Sequence, residues 1–313
     1  MHYYLIKRIA HLILTLLIAS VFTFIVVNAA PGEPAEVLAR HLYTGLEEAA
    51  PPELIAKVAD RYDLSKPLLV QYSDWVGGLF TGNMGYSILF KKPVSWLLML
   101  HLPPTILLTT VSMVFATIAG IIFGVYSALH QNKISDHLIR AATIFFASMP
   151  GFWVAVMLIL VFSLWLGIMP VAGYGWPLFI ILPATALGLH AMVSIVRIMR
   201  TSMLETMEKP FVMFAKVKGL PMKKVIFSHA CKNAFLPVLT VIGMSFGALL
   251  AGSVVIETIF SWPGIGEMLM KAISARDLVL IESTIMVIVF LFLIVNFVID
   301  LLYHIVDPRI IYE

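Results

Sequence analysis

A few ionisable side chains interrupt otherwise apolar stretches of this sequence, notably His190, Arg197, Glu257 and Asp300. An ionised group at the centre of a membrane helix costs on the order of 2.5–3.5 kcal/mol, so each is a candidate for handling an ion, a proton or a solute. The chemistry open to them is narrow. His190 has no second ligand at metal-binding spacing, which points to a hydrogen bond between helices rather than to a metal. Arg197 and Asp300 fall near the ends of their apolar runs, where snorkelling or mutual pairing accounts for them. Glu257 is followed by TIFSWPGIG, and the turn at Trp262, Pro263, Gly264 and Gly266 bends the chain there. Two readings stand side by side for this group: a lining or gate of a passage, or a structural turn with Glu257 at headgroup level. No GxxxxGK[ST] phosphate loop occurs, and no nucleophile, base and orienting group gather, so neither nucleotide binding through that motif nor enzymatic catalysis is expected.

The elements that must position these residues are membrane helices. Of 313 residues, 60% are hydrophobic and 12% charged, against roughly a quarter charged in soluble domains. Runs of about 20 apolar residues cross the hydrocarbon as helices, and six are read, at 9–30, 103–129, 141–168, 178–199, 235–260 and 283–306. The first is longer than the hydrophobic core of a signal peptide and reads as an uncleaved span. The single cysteine, Cys231, excludes an internal disulfide. The 17 methionines are scattered through apolar runs as gap fillers rather than gathered as soft-metal ligands. Pro150, Pro183 and Pro237, with Gly120, Gly124 and Gly252, are sites where helices kink or approach closely.

Basic residues orient the chain. The segment after the fourth run carries Arg197, Arg200, Lys209, Lys216, Lys218, Lys223, Lys224 and Lys232, whereas MPVAGYGWP, after the third, carries none. That basic segment is therefore cytosolic, as are both termini, 1–8 and 307–313. Segment 31–102 then lies outside, and PPELIAKVADRY within it places Leu54, Ile55, Val58 and Tyr62 on one face of a short helix. The glycines of GLFTGNMGYS mark turns.

The cytosolic loop, 201–234, poses its own problem. Glu208 and Pro210 suit a helix start, and Gly219 followed by Pro221 a stop, which predicts a helix over 210–218. Phe211, Phe214, Ala215 and Lys218 share one face, and Val212, Met213 and Val217 leave little of the rest polar. So short a helix is marginal alone. It either folds back on the protein's own spans or enters a groove on a cytosolic partner. A second helix, over 222–234, sets Val225, Ile226 and His229 in a stripe that seats the first.

The stretch FVMFAKVKGLPMKKVIFSHACKNAFLPVLTVIG resembles the cytoplasmic loop of bacterial ABC importer permeases, with Ala215, Gly219, Leu236 and Pro237 at the motif positions. NAAPGEPAEVL, YDLSKPLLVQYSDWVGGLFTGNMGYS, KKPVSWLLMLHLPPTILLT, SMPGFWVAVMLILVFSLWLGIMPVAGYG, ILPATALGL, VVIETIFSWPGIGEMLMKAI and VIDLLYHIVDPRI extend the similarity to the dipeptide, oligopeptide and nickel permease group. Where such permeases commonly carry an acidic residue or an Arg-Thr pair, this chain has Met213 and Phe214.

The resemblance implies an all-α integral membrane fold of the type I importer permease, with six transmembrane helices and a large external segment after the first. It implies a core of five spans over 103–306 and a coupling helix whose Phe211, Phe214, Ala215, Lys218 and Gly219 meet an ATPase. The implied partners are a homologous second permease, two ATPase subunits or domains and an extracytoplasmic binding protein, in the cytoplasmic membrane of a bacterium or archaeon. ATP and magnesium are expected at the ATPases, with no cofactor or metal on this chain. The aromatic Phe214 with Lys216 and Lys218, the LARHLYTGLEEAAPPELI insertion and the short MPVAGYGWP loop lean toward nickel chelates as cargo, with di- or oligopeptides or glutathione as the alternative. A carrier or channel working without ATP predicts paired intramembrane charges or inverted halves, and neither is evident. A mere membrane anchor leaves the apolar loop helix without a reason.

Overall fold

In the computed structural model, residues 2–29, 34–40, 50–61, 64–175 and 177–306 are described. The apolar runs form helices, because hydrocarbon supplies no partner for backbone N–H and C=O groups. In chain order these are α1 (His2–Asn28), α2 (Pro34–Ala39), α3 (Pro52–Arg61), α4 (Leu68–Thr81), α5 (Val94–Leu129), α6 (Ile134–Ala147) and α7 (Gly151–Leu158). They continue with α8 (Ile181–Met207), α9 (Pro210–Val217), α10 (Met222–Lys224), α11 (Lys232–Ile259), α12 (Ile265–Ala275) and α13 (Leu278–Val306). A two-residue ladder pairs β1 (Tyr86–Ser87) with β2 (Lys92–Pro93), a small exception to an all-α reading.

Among the described residues, five helical segments are long and apolar enough to cross a membrane: Lys7–Asn28, Val94–Leu129, Pro177–Met207, Met222–Ile259 and Leu278–Ile299. The straight run over 141–168 expected from the sequence is not found. In its place stands a pair, Ile134–Ala147 and Gly151–Trp165, bent by 108°. Pro150 explains the break: it has no N–H to donate and disfavours helical backbone in the residue before it, and it takes φ −62° and ψ 139° ahead of α7. Beyond Leu158 the helix widens into a π-helical turn, Ile159–Trp165.

The chain forms two compact units, Met1–Thr105 with Pro263–Ile294, and Ile106–Trp262 with Val295–Glu313. In the first unit, α4 packs on α1 through the Phe24 and Tyr72 rings, 5.3 Å apart at their centroids. Asn28 donates to Glu282 at 3.1 Å and the Trp75 indole to Ser283 at 3.4 Å, tying both helices to α13. Asp277 is fully buried and accepts from the Ser87 hydroxyl at 2.6 Å and from the Ile88, Leu89 and Leu280 amides at 2.8, 3.0 and 3.3 Å. Four donors make a buried carboxylate tolerable and pin the β1–β2 hairpin to the start of α13. In α3, Val58 is buried and Leu54 and Ile55 pack around it with Ala39, Ala50 and Ile88, as the periodicity predicts. Tyr62, placed on the same face, lies outside the described residues. Of the glycines expected to mark turns, Gly82 and Gly85 have positive φ, but Gly77 and Gly78 lie inside α4.

The second unit is built on α8, most of whose residues are buried. Its contact with α5 depends on three glycines. A Cβ on Gly188 would stand 2.6 Å from the Ser112 carbonyl oxygen, one on Gly120 2.5 Å from Ile195 and one on Gly124 2.7 Å from Met199. Small residues let membrane helices approach closely, and dispersion then holds them. Gly252, by contrast, faces Leu187 at an ordinary 3.7 Å.

Candidate functional site

Helix α9 runs from Pro210 to Val217, close to the expected 210–218, with Pro210 in its first turn. Glu208 ends α8 instead of starting α9, and Lys209 supplies the extended residue before it. The Lys218 and Gly219 amides close the last turn on the Phe214 and Lys216 carbonyls, both at 3.0 Å. Gly219 then reverses the chain at φ +77°, in left-handed backbone that glycine adopts without strain. A Cβ there would meet nothing within 4 Å, so any cost of replacement comes from the backbone alone. Gly219→Val is therefore expected to cost about 1–2 kcal/mol and to displace α9, read as reduced uptake at normal membrane abundance; unaltered uptake would show that the turn does not position the helix.

Two faces of α9 differ sharply. Val212 and Ala215 are buried with Val225, backed by Met207 and Leu220. Phe211, Met213, Phe214 and Val217 are exposed, Val217 by 85% and Phe214 by 61%. Ala215, grouped by sequence spacing with the outward residues, instead packs inward. Lys218 lies over the Phe214 ring with its ammonium 4.7 Å from the centroid. So the helix is held to its own chain by one side while four large apolar side chains stay uncovered on the other. Among the three stripe residues of the following segment, Val225 is buried and Ile226 and His229 are half-buried, in a π-helical turn, Val225–Cys231, rather than a regular helix.

The tentative gate divides. Glu257 and Trp262 are both buried, and the Trp262 amide donates to the Glu257 carbonyl at 2.8 Å, closing the end of α11. Tyr174 packs edge-on against Trp262, 4.8 Å between centroids. The Glu257 side chain is thus buried within this chain, and its backbone closes the turn. Gly264 is the residue before α12, Gly266 is buried within it, and Pro263 accepts a contact from the His101 ring at 3.0 Å. The Pro-Gly bend therefore starts a helix, α12, that the sequence reading left as a turn.

An open groove lies elsewhere, between α8 and α11. One part, about 460 Å³, runs past Gly151, His190, Ala191, Ser194 and Gly252. A second, about 380 Å³, shares Ser194, Ser245 and Ala248 with it and extends to Arg197. His190 also bonds the Met149 carbonyl at 2.9 Å, the expected contact between helices. Arg197 faces the groove, and the side chain of Asp300, its anticipated partner, lies outside the described residues. Another acid was missed. Asp136 is fully buried and takes a bidentate pair of bonds from Arg200, both at 2.8 Å, besides bonds from the Ser127 hydroxyl and the Asn132 amide at 3.0 Å.

Long apolar helices, an uncovered apolar loop helix and an open groove between two of the helices fit a membrane transport component, and comparison with known proteins gives that class. Residues 120–312 match the model of the binding-protein-dependent transport system inner membrane component, and residues 1–109 the corresponding N-terminal model. The chain belongs to this family and is a permease subunit of an ABC importer of the peptide and nickel group. It is 37% identical to the di/tripeptide transport system permease protein of Pseudomonas aeruginosa over 97% of both chains. It is 36% identical to a putative peptide transport system permease protein of Brucella abortus and 35% to the oligopeptide transport system permease protein of Haemophilus influenzae, each over 99% of both chains.

Proposed function

We propose that this chain forms half of the membrane pathway of an ATP-driven importer of short peptides. It works beside a companion permease and two ATPase subunits, one of them against the exposed face of α9, with an external binding protein delivering cargo to 31–102. Both termini face the cytoplasm, on the side of the basic loop. The observation that carries the peptide reading is the α8–α11 groove: a few hundred cubic ångströms, walled by small and large apolar residues and edged by hydroxyl, imidazole and guanidinium groups, as suits chains of varied side chains with constant polar ends. The full-length relatives named for peptide transport support it.

This reading replaces the lean toward nickel. Phe214, Lys216 and Lys218 are exposed on and beside α9 and are absent from the groove lining, and much of the LARHLYTGLEEAAPPELI insertion lies outside the described residues. The test is uptake into proteoliposomes holding the whole importer and its binding protein, with labelled dipeptides, oligopeptides and chelated nickel offered separately. Peptide uptake that stops without ATP is expected. Nickel uptake would overturn the cargo, and flux indifferent to ATP would overturn the mechanism.

A further inference from the structure

Six exposed polar residues follow one another along α8 and its end: His190, Ser194, Arg197, Thr201, Glu205 and Glu208. Their spacings of four, three, four, four and three residues keep them on a single helical face. The other faces are closed by Leu189, Val196, Met199 and Met203, all buried. Thr201, Glu205 and Glu208 lie beyond the apolar run, in the basic loop, and are solvated there. His190, Ser194 and Arg197 line the groove within or at the end of that run, where a polar side chain must meet water, an opposite charge or a ligand. Arg197 is the one positively charged side chain among those lining the two parts of the groove. Its neighbours in the second part, Ser194, Ile198, Val241, Met244, Ser245 and Ala248, include no acid. The other arginine of this helix, Arg200, turns the opposite way and is committed to Asp136.

We infer that the groove-lining part of the stripe, from His190 to Arg197, is the wetted wall of the passage and that Arg197 is a specificity-determining residue that receives the free carboxylate of the passing peptide. The inference rests on the peptide reading above. A guanidinium presents paired N–H donors that match a carboxylate, and carboxylate is the one anionic group common to all unmodified peptides whatever their side chains. Ser194 and His190, one and two turns farther along, offer further hydroxyl and imidazole contacts on the same line. A guanidinium at the end of an otherwise neutral groove thus discriminates by terminus and leaves side chains unselected.

The experiment uses the assembled importer in proteoliposomes, with a labelled tripeptide as its free acid and as its C-terminal amide. Uptake of each is measured for the wild type, Arg197→Gln and Arg197→Lys at saturating binding protein. The acid-to-amide uptake ratio is expected to fall about tenfold in Arg197→Gln, as loss of a charged hydrogen bond predicts, and largely to recover in Arg197→Lys. An unchanged ratio, with both peptides slowed alike, would overturn the carboxylate role and leave Arg197 as an assembly contact. Wild-type failure to take up either peptide would instead remove the peptide reading and this inference with it. In a Cys231→Ser background, Ser194→Cys should react with a charged, water-soluble thiol reagent and be slowed by the free-acid peptide; a thiol that never reacts would overturn the wetted wall.

Discussion

Replacing Arg200 with Ala is expected to cost about 3–5 kcal/mol, the usual penalty for breaking a buried ion pair on one side. Asp136 is fully buried while the Arg200 side chain keeps 18% of its surface, so the arginine could find water on its own but the carboxylate could not. Its remaining donors, the Ser127 hydroxyl and Asn132 amide, do not neutralise it. A fall in the melting midpoint of the detergent-solubilised protein on the order of 10 °C should follow. Asp136→Asn combined with Arg200→Gln should be less damaging than the single changes together, because no lone charge is left. If Arg200→Ala melts within a degree or two of the wild type, the pair is not what fixes the α6–α8 junction.

The second large effect concerns function without stability. Phe214→Asp together with Val217→Asp should abolish ATP-driven uptake, by a factor of ten or more, while the subunit folds and melts normally. Both side chains are mostly exposed, and surface substitutions of that kind ordinarily change stability by about 0.5 kcal/mol or less. Two carboxylates placed in an apolar helix-in-groove contact are left desolvated and unpaired. Val212→Asp is the contrasting control, since Val212 is wholly buried against Val225 and its loss should unfold the loop. The readouts are cargo uptake and the stimulation of ATP hydrolysis by loaded binding protein. Normal stimulation in the double variant would remove the coupling role from this face.

Long apolar runs declare themselves, since nothing but a membrane explains them, and the α9 start and stop are written in Pro210 and Gly219. Less was legible where two physical periods overlap. In α9 every position from Phe211 to Ala215 is apolar, so spacing alone cannot say that Ala215 turns inward while Phe214 turns outward; that depends on where Val225 returns. Asp136 sits in the polar stretch HQNKISDHLIR and reads as an ordinary surface acid until Arg200, 64 positions away, is folded onto it. Glu257 drew attention as a charge in an apolar run, yet its surroundings bury it. The polar residues of α8 stand three and four apart in the sequence, but only the fold shows that His190, Ser194 and Arg197 border one groove.

The helical segment Met222–Ile259 is 38 residues long, about 57 Å at 1.5 Å per residue, nearly twice the roughly 30 Å of hydrocarbon. Near one end Val225 shares a cluster with the α9 residues Val212 and Ala215; farther along, Ser245 and Gly252 border the groove. Such a rod acts as a lever. A tilt of about 5° swings its far end on the order of 5 Å over that length, comparable to the width of an extended backbone. Pro237, inside the rod between the two contacts, removes one backbone hydrogen bond and gives bending a place to occur. The loop contact and the groove thus lie on one helical piece of chain, and how much of a tilt at the loop reaches the groove depends on how stiff the Pro237 joint is.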